Sequence, residues 1–92
     1  MGVNEALREI DAIENLLGPY EFFSHDAKKF LNVLRELKKV LGEMDKDRIR
    51  QIAKEMENIE EAAAPYRGYG FVEEALKHAK KLLSELKNIL EE

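Results

Sequence analysis

Two similar stretches decide the fold: Leu-Arg-Glu-Leu-Lys-Lys-Val-Leu at residues 34–41 and Leu-Ser-Glu-Leu-Lys-Asn-Ile-Leu at residues 83–90. Their leucines recur at alternating steps of three and four residues, the spacing that keeps side chains on one face of an α-helix. No run alternates apolar and polar residues at the period of two that is typical of a half-buried strand. The sequence therefore predicts an all-α fold.

The same spacing extends over most of the chain and predicts four amphipathic helices, at residues 4–17, 19–41, 45–64 and 71–90. Each has a row of apolar residues, here called its apolar stripe, and no stripe contains a charged side chain. The stripes comprise Val3, Ala6, Ile10, Ile13, Leu17, Phe23, Ala27, Phe30, Leu34, Leu37, Leu41, Ile49, Ile52, Met56, Ile59, Ala63, Val72, Leu76, Ala79, Leu83, Leu86 and Leu90.

Glycine, proline and aspartate mark the expected helix ends. Gly18 and Gly42 are candidate left-handed C-caps, because glycine adopts positive φ without a steric penalty. Asp45 or Asp47 is the expected N-cap of the third helix, which should end before Pro65.

The start of the second helix has two readings. Pro19 suits the first position of a helix, since its missing N–H is not needed there. Ser24 suits an N-cap, with the two phenylalanines at residues 22–23 in a short preceding turn. Helical spacing does not separate these alternatives.

The first and third helices align at an offset of 46 residues, and the second and fourth at an offset of 49. The pattern Ile-Glu-x-x-x-x-Pro-Tyr occurs at residues 13–20 and again at residues 59–66. Helical periodicity alone explains much of the alignment, but not this repeated pattern at the same helix end. We therefore expect an internal duplication, with hairpin repeat 1 at about 1–43 and hairpin repeat 2 at about 44–92.

The two hairpins are expected to bury their stripes against each other as an up-down-up-down four-helix bundle. Ala27 and Phe30 align with Leu76 and Ala79, so bulk lost at one level should be regained one turn away. The four expected helices carry net charges of −3, +2, −2 and +1 in chain order, which suits antiparallel neighbours.

Composition limits the class of protein. The 92 residues suffice for one domain with its own core, and the absence of cysteine leaves no disulfide or thiolate metal site. No segment approaches the roughly 20 apolar residues of a membrane span, and the N-terminal residues do not resemble a signal peptide. A cytoplasmic protein without membrane contact is the expectation. The absence of Thr and the 37% of charged residues are typical of thermophile proteins.

Residues 67–74, Arg-Gly-Tyr-Gly-Phe-Val-Glu-Glu, match six positions of the RNP1 signature of RNA-recognition motifs. In those domains the signature lies on a sheet strand, and this chain offers no such strand. The eighth position is Glu74 instead of a base-stacking aromatic residue. We therefore expect an interhelix turn, in which Gly68 and Gly70 supply flexibility.

A looser nucleic-acid role is the alternative function. It would use the turn from Tyr66 to Phe71 together with the basic side of the second helix. Those basic residues are Lys28, Lys29, Arg35, Lys38 and Lys39. A net charge of −4 argues against it, because phosphate contacts dominate such binding.

Catalytic, cofactor and metal sites are not expected. The stripes lack the inward carboxylates of di-iron bundles, and the consecutive residues 24–26, Ser-His-Asp, point in different directions on a helix. Glu21/His25 and Glu74/His78 have i,i+4 spacing, which predicts surface ion pairs. The sequence favours a non-enzymatic protein.

Six of the seven aromatic residues should gather at the end of the bundle where both hairpins turn. Their rings would either plug the core or form a recognition surface, since Tyr, Phe and Arg are enriched at interface centres. The candidate partner-binding residues are Tyr20, Phe22, Tyr66, Arg67, Tyr69 and Phe71.

The sequence thus favours a small protein–protein interaction or assembly module. Its partner would be another protein or a second copy, with monomer and homodimer both open. Leu31, Leu7 and Leu16 are further candidates for exposed apolar area in self-association.

Overall fold

A computed structural model describes residues 2–91, and these residues form an all-α structure without strands. This confirms the predicted all-α fold class. The described residues form no strand, so they contain no sheet on which an RNP1 signature could lie. In chain order the elements are α1 (Gly2–Leu17), a first 3₁₀ turn (Gly18–Tyr20), α2 (His25–Glu43), α3 (Lys46–Met56), α4 (Ile59–Ala63), a second 3₁₀ turn (Ala64–Tyr66) and α5 (Gly70–Glu91).

Side-chain caps start α2 and α3. The Ser24 hydroxyl accepts a hydrogen bond from the Ala27 N–H at 3.1 Å, and Ser24 has extended backbone angles. This confirms Ser24 as the N-cap. At α3, the Asp45 carboxylate accepts from the Arg48 N–H at 3.2 Å, so Asp45 is the cap of the two candidates.

α1 ends at Leu17, as predicted, but Gly18 is not left-handed and begins a 3₁₀ turn that continues through Pro19. The predicted stop at Gly42 is wrong, because Gly42 lies inside α2. Met44 ends α2 instead, in the left-handed conformation with φ 53° and ψ 38°. Its N–H donates to the Leu41 carbonyl at 3.3 Å, so the helix is closed there without a glycine.

The predicted third helix is divided into α3 and α4. Asn58 interrupts it with φ −94° and ψ 8°, and the Glu57 N–H donates back three residues to the Lys54 carbonyl. The position that aligns with Asn58 in the uninterrupted α1 is Ala12. Asparagine has a lower helix propensity than alanine, so this position favours the helix less than its counterpart in α1 does.

α1 and α5 form a close antiparallel pair. A Cβ at Gly2 would lie 3.1 Å from Ile89 Cγ1, so these backbones approach closely at one end. At the other end Tyr20, just beyond α1, stacks on Phe71 with ring centroids 4.0 Å apart. The remaining helices complete a ring of contacts, α1 with α2, α2 with α3, and α3 with α5.

One apolar core lies between the helices, and no polar or charged residue is buried among those that the structure describes. Every stripe residue is buried or half-buried except Phe23, which is 86% exposed. The buried face is wider than the stripes. It also includes Leu31, Val40, Ala53, Ala75, Leu82 and Ile89.

The expectation that Leu31 is exposed for self-association is wrong, because its side chain is fully buried. Leu31 and Leu34 of α2 both face the core, so the buried face of this helix is wider than its apolar stripe. Leu7 and Leu16 are half-buried and pack against the core.

Ion pairs connect neighbouring helices of opposite charge. The Lys38 ammonium of α2 lies 2.9 Å from Glu14 of α1, and Lys80 of α5 lies 2.5 Å from Glu60 of α4. The two predicted i,i+4 pairs are replaced by longer-range partners. Glu21 binds Arg35 instead of His25, and His78 binds Glu9 of α1 instead of Glu74. Tertiary packing of α1 against α5 brings the latter pair together.

Within residues 2–91, no helix combines the length and the apolar character that crossing a bilayer requires.

The left-handed Met44 generates a stability prediction. A non-glycine residue in this conformation destabilises the folded state by roughly 1–2 kcal/mol. Glycine removes that steric cost, but part of the stabilisation is lost because glycine gives the unfolded chain more conformational entropy. Met44→Gly should therefore raise the free energy of unfolding by about 0.5–1 kcal/mol in urea denaturation.

Gly42→Ala is the matched experiment inside the helix. A Cβ at Gly42 meets no atom within 4 Å, so alanine should stabilise by about 1 kcal/mol through helix propensity. Destabilisation by Gly42→Ala, together with no gain from Met44→Gly, would place the helix end at Gly42 and contradict this assignment.

Candidate functional site

A cavity of about 830 Å³ lies at the end of the molecule that carries both 3₁₀ turns. Its wall draws on all five α-helices and is predominantly apolar. The apolar lining consists of Leu17, Ala27, Phe30, Val33, Met56, Ile59, Ala62, Ala63, Phe71, Val72, Ala75 and Leu76. The remaining lining residues are polar, charged or tyrosine: Tyr20, Ser24, Asp26, Lys29, Glu55, Asn58, Tyr66 and Tyr69.

Small side chains leave this space open. Ala27 of α2, Ala62 and Ala63 of α4 and Ala75 of α5 all line the cavity. At the opposite end of the core, large leucine and isoleucine side chains are fully buried, among them Leu41, Ile49, Leu86 and Ile89. The chain thus fills one end of its interior and leaves the other end hollow.

The expected exchange of bulk between the two copies does not close the gap. The bulk lost at Ala27 should be regained at Phe30, one turn away, yet both residues line the cavity together with Leu76 of the other copy. The larger side chains therefore line the space without filling it.

Four of the six candidate partner-binding residues gather at the cavity. Tyr20 and Phe71 are stacked with an interplanar angle of 7°, and Tyr69 is tilted against Phe71 at a centroid distance of 5.9 Å. Tyr66 completes the aromatic group on the second 3₁₀ turn. The aromatic rings of these four residues thus form part of the cavity wall.

Phe22 and Arg67 lie outside the cavity lining. Phe22 is 92% exposed and Phe23 is 86% exposed, both on the turn at residues 21–23. Of the two readings given above, the core plug does not hold for Phe22 and Phe23, because the turn places both side chains in solvent.

The turn at residues 21–23 has a fixed conformation. The N–H groups of Phe23 and Ser24 both donate to the Tyr20 carbonyl, at 3.1 and 2.9 Å. The Glu21 carboxylate accepts two hydrogen bonds from the Arg35 guanidinium, at 2.8 and 3.1 Å. This pairing lowers the pKa of Glu21 below its usual value. None of these bonds involves a phenylalanine side chain.

A hydrogen bond connects the second 3₁₀ turn to α2 across the cavity. The Tyr66 hydroxyl donates to the Asp26 carboxylate at 2.6 Å. This hydrogen bond, together with the negative charge of Asp26, raises the pKa of Tyr66 above its usual value. The bond holds the cavity at its present width between α2 and the turn.

Arg67 stabilises the start of α5. Its Nε and Nη2 donate to the two carboxylate oxygens of Glu73, at 2.6 and 3.0 Å. The hydrogen bonding to Arg67 is the main reason that the pKa of Glu73 is lowered. Gly68 has φ 107°, a conformation that glycine tolerates and other residues avoid, so this turn requires it.

Several cations of the predicted nucleic-acid surface already bind carboxylates. Arg67 is held by Glu73, Arg35 by Glu21, and Lys38 by both Glu14 and Asp11. Phosphate groups would have to compete with these partners.

Sequence reasoning identified the aromatic residues and missed the cavity wall. The available signal was the clustering of alanines on the stripes near the aromatic end, most clearly Ala62 and Ala63.

Among residues 2–91, no three His, Asp or Glu side chains are grouped closely enough to hold one metal ion. No protein-family model, curated protein or solved structure matches the chain.

Replacing Tyr66 tests the bond across the cavity. Tyr66→Phe should lower the melting temperature at pH 7, because Asp26 loses its donor. The contribution is present below the ordinary tyrosine pKa of 10.0 and is lost as pH rises through the raised value. The difference between wild type and variant should accordingly disappear in strongly alkaline buffer.

Tyr69→Phe is the control, because the Tyr69 hydroxyl has no hydrogen-bond partner among residues 2–91. Its melting temperature should equal that of the wild type. Equal effects of the two substitutions would show that the Tyr66 hydroxyl is not specifically bonded.

Proposed function

We propose that the chain is a small non-enzymatic protein–protein interaction or assembly module. Its binding site is the apolar cavity, which receives aromatic and aliphatic side chains from a protein partner. The observation behind this proposal is a cavity of about 830 Å³ with a mostly apolar wall. The wall includes Tyr20, Tyr66 and Tyr69 from the hairpin turns, Phe71 of α5 and Phe30 of α2.

The proposed architecture is an up-down-up-down four-helix bundle made from two duplicated hairpins, with α3 and α4 together forming the third member. Antiparallel packing of α1 on α5 supports it. So does the recurrence of a Pro-Tyr 3₁₀ turn at an offset of 46 residues, Gly18–Tyr20 and Ala64–Tyr66. The proposal keeps the cytoplasmic setting expected from the sequence.

Size and composition support a binding role for the cavity. Pockets of about 300–1,000 Å³ hold drug-sized groups, and their walls are mostly apolar with a few polar atoms. Here the polar atoms come from residues such as Ser24 and Asn58. Burying apolar side chains in this wall would release water from both surfaces, which is favourable by about 25 cal/mol per Å².

The site is better suited to binding a protein partner than to catalysing a reaction. Apolar side chains dominate the wall, and the ionisable lining residues Asp26, Lys29 and Glu55 are exposed to water. Water screens such charges, which weakens their use in acid–base chemistry. The stacked pair of Tyr20 and Phe71 presents a rigid aromatic surface, and such surfaces are enriched at the centres of protein interfaces.

Narrowing the cavity tests this proposal. Ala27→Leu combined with Ala63→Leu adds methylene and methyl groups to two walls of the empty space. The double variant should gain about 1 kcal/mol or more of unfolding free energy, since each buried CH₂ contributes about 0.8 kcal/mol. The same variant should bind the dye 1-anilinonaphthalene-8-sulfonate at least about tenfold more weakly than wild type, a difference of about 1.4 kcal/mol.

Ala64→Leu is the matched control, because Ala64 is exposed and does not line the cavity. A random peptide library displayed on phage supplies the protein-like ligands. Peptides rich in aromatic and aliphatic residues should bind wild type and Ala64→Leu but not the narrowed variant. Selection of no peptide, or of peptides that bind all three proteins equally, would contradict the proposed site.

A further inference from the structure

Phe22 and Phe23 are the two most exposed large apolar side chains among residues 2–91, at 92% and 86% exposure. The conformation of the turn that carries them does not depend on their side chains. Its backbone is closed by main-chain hydrogen bonds to Tyr20, and its ends are fixed by Glu21 and by the Ser24 cap. Two adjacent phenylalanines on a fixed turn therefore resemble preorganised interface anchors, which bind without a large cost in conformational entropy.

We propose that the partner is a second copy of this chain, and that the Phe22–Phe23 turn of each copy enters the cavity of the other. The result is a two-fold symmetric dimer with reciprocal insertion. This inference rests on the proposed function, because it uses the same cavity and names its occupant.

The turn and the cavity lie side by side at one end of the molecule. Tyr20 and Ser24 flank the turn on either side, and both line the cavity. A two-fold interface requires a surface that is complementary to itself, in which a projection and a recess are neighbours. The projecting phenylalanines and the adjacent hollow satisfy that requirement, whereas a projection and a recess at opposite ends would build open chains.

The area that reciprocal insertion would bury is sufficient for a stable dimer. One aromatic side chain buries about 150–250 Å², so four of them bury about 600–1,000 Å² and the cavity walls lose a comparable area. The total of about 1,200–2,000 Å² matches a standard-size protein interface. Two benzyl groups together also have the size of the ligands that cavities of about 830 Å³ accommodate.

Charge favours the same pairing of the two surfaces. Lys28 lies beside the phenylalanine turn together with Glu21, whose carboxylate is bound by Arg35, whereas two carboxylates, Asp26 and Glu55, and one cation, Lys29, line the cavity. In the reciprocal dimer Lys28 of each turn approaches the net negative lining of the partner's cavity. Such complementarity mainly favours the correct encounter and orientation.

The first measurement places a fluorescent reporter on the turn. The natural chain contains no tryptophan, so Phe23→Trp supplies a single emission signal. Its emission should shift to longer wavelength as the protein is diluted, in step with a change from dimer to monomer mass in light scattering. Met44→Trp, at the opposite end between α2 and α3, should show no concentration dependence.

A complementation experiment tests the reciprocity. Phe22→Ser/Phe23→Ser keeps the cavity and loses the turn, whereas Ala27→Leu/Ala63→Leu keeps the turn and loses the cavity. Each double variant alone should dimerise roughly 100-fold more weakly than wild type or worse. Mixing the two should restore a heterodimer through the one remaining insertion, with the narrowed variant carrying Phe23→Trp and its emission shifting to shorter wavelength.

Several results would overturn the inference: a monomer at millimolar concentration, a dimer unaffected by the serine substitutions, or no association in the mixture. A tryptophan that is shielded in the monomer would show insertion into the chain's own cavity and would also contradict it. The proposed function fails separately. If peptides and dye still bind the cavity in a monomeric protein, only the identity of the partner is wrong.

Discussion

Close antiparallel contact between α1 and α5 is the constraint on which the other elements depend. Small residues at Gly2, Ala6 and Ala79 are buried on these two helices and permit the approach. Because the pair is antiparallel, the end of α1 lies beside the start of α5, which is why Tyr20 meets Phe71. α2 and α3–α4 must then cover the remaining apolar faces of this pair, and the connections at residues 18–24 and 64–69 are brought to the same end of the molecule.

The hollow at that end follows from the choice of side chains on the covering helices. Leucine and isoleucine fill the interior where α2 and α3 join, and alanines line it where the aromatic turns lie. The Tyr66–Asp26 hydrogen bond holds the two sides together without filling the space. A protein selected only for stability would place larger side chains there, since cavity filling commonly stabilises by about 0.5–2 kcal/mol. The small residues leave this space available for the occupant that we propose.

The helices, their buried faces and the aromatic cluster could be predicted because local spacing determines them. Ser24 and Asp45 act as caps through chemistry that is readable over three residues. The glycine stops could not be settled in this way, since Gly42 fits a helix interior as well as an end. The break at Asn58, the burial of Leu31 and the pairing of His78 with Glu9 depend on how whole helices pack. The cavity is harder still to predict from the sequence, because it arises from small side chains on several helices that are brought together only by the packing.

Methyl NMR spectroscopy during titration with benzene tests the central claim most directly, since benzene is a small apolar ligand that binds cavities lined by apolar side chains. We expect chemical-shift changes at the cavity-lining residues Val33, Met56, Val72 and Leu76. No change is expected at Leu37, Ile49 or Leu86, which are fully buried in the filled part of the core. Shifts spread evenly over both groups, or no saturable shift at any methyl group, would show that the two ends of the interior are packed alike.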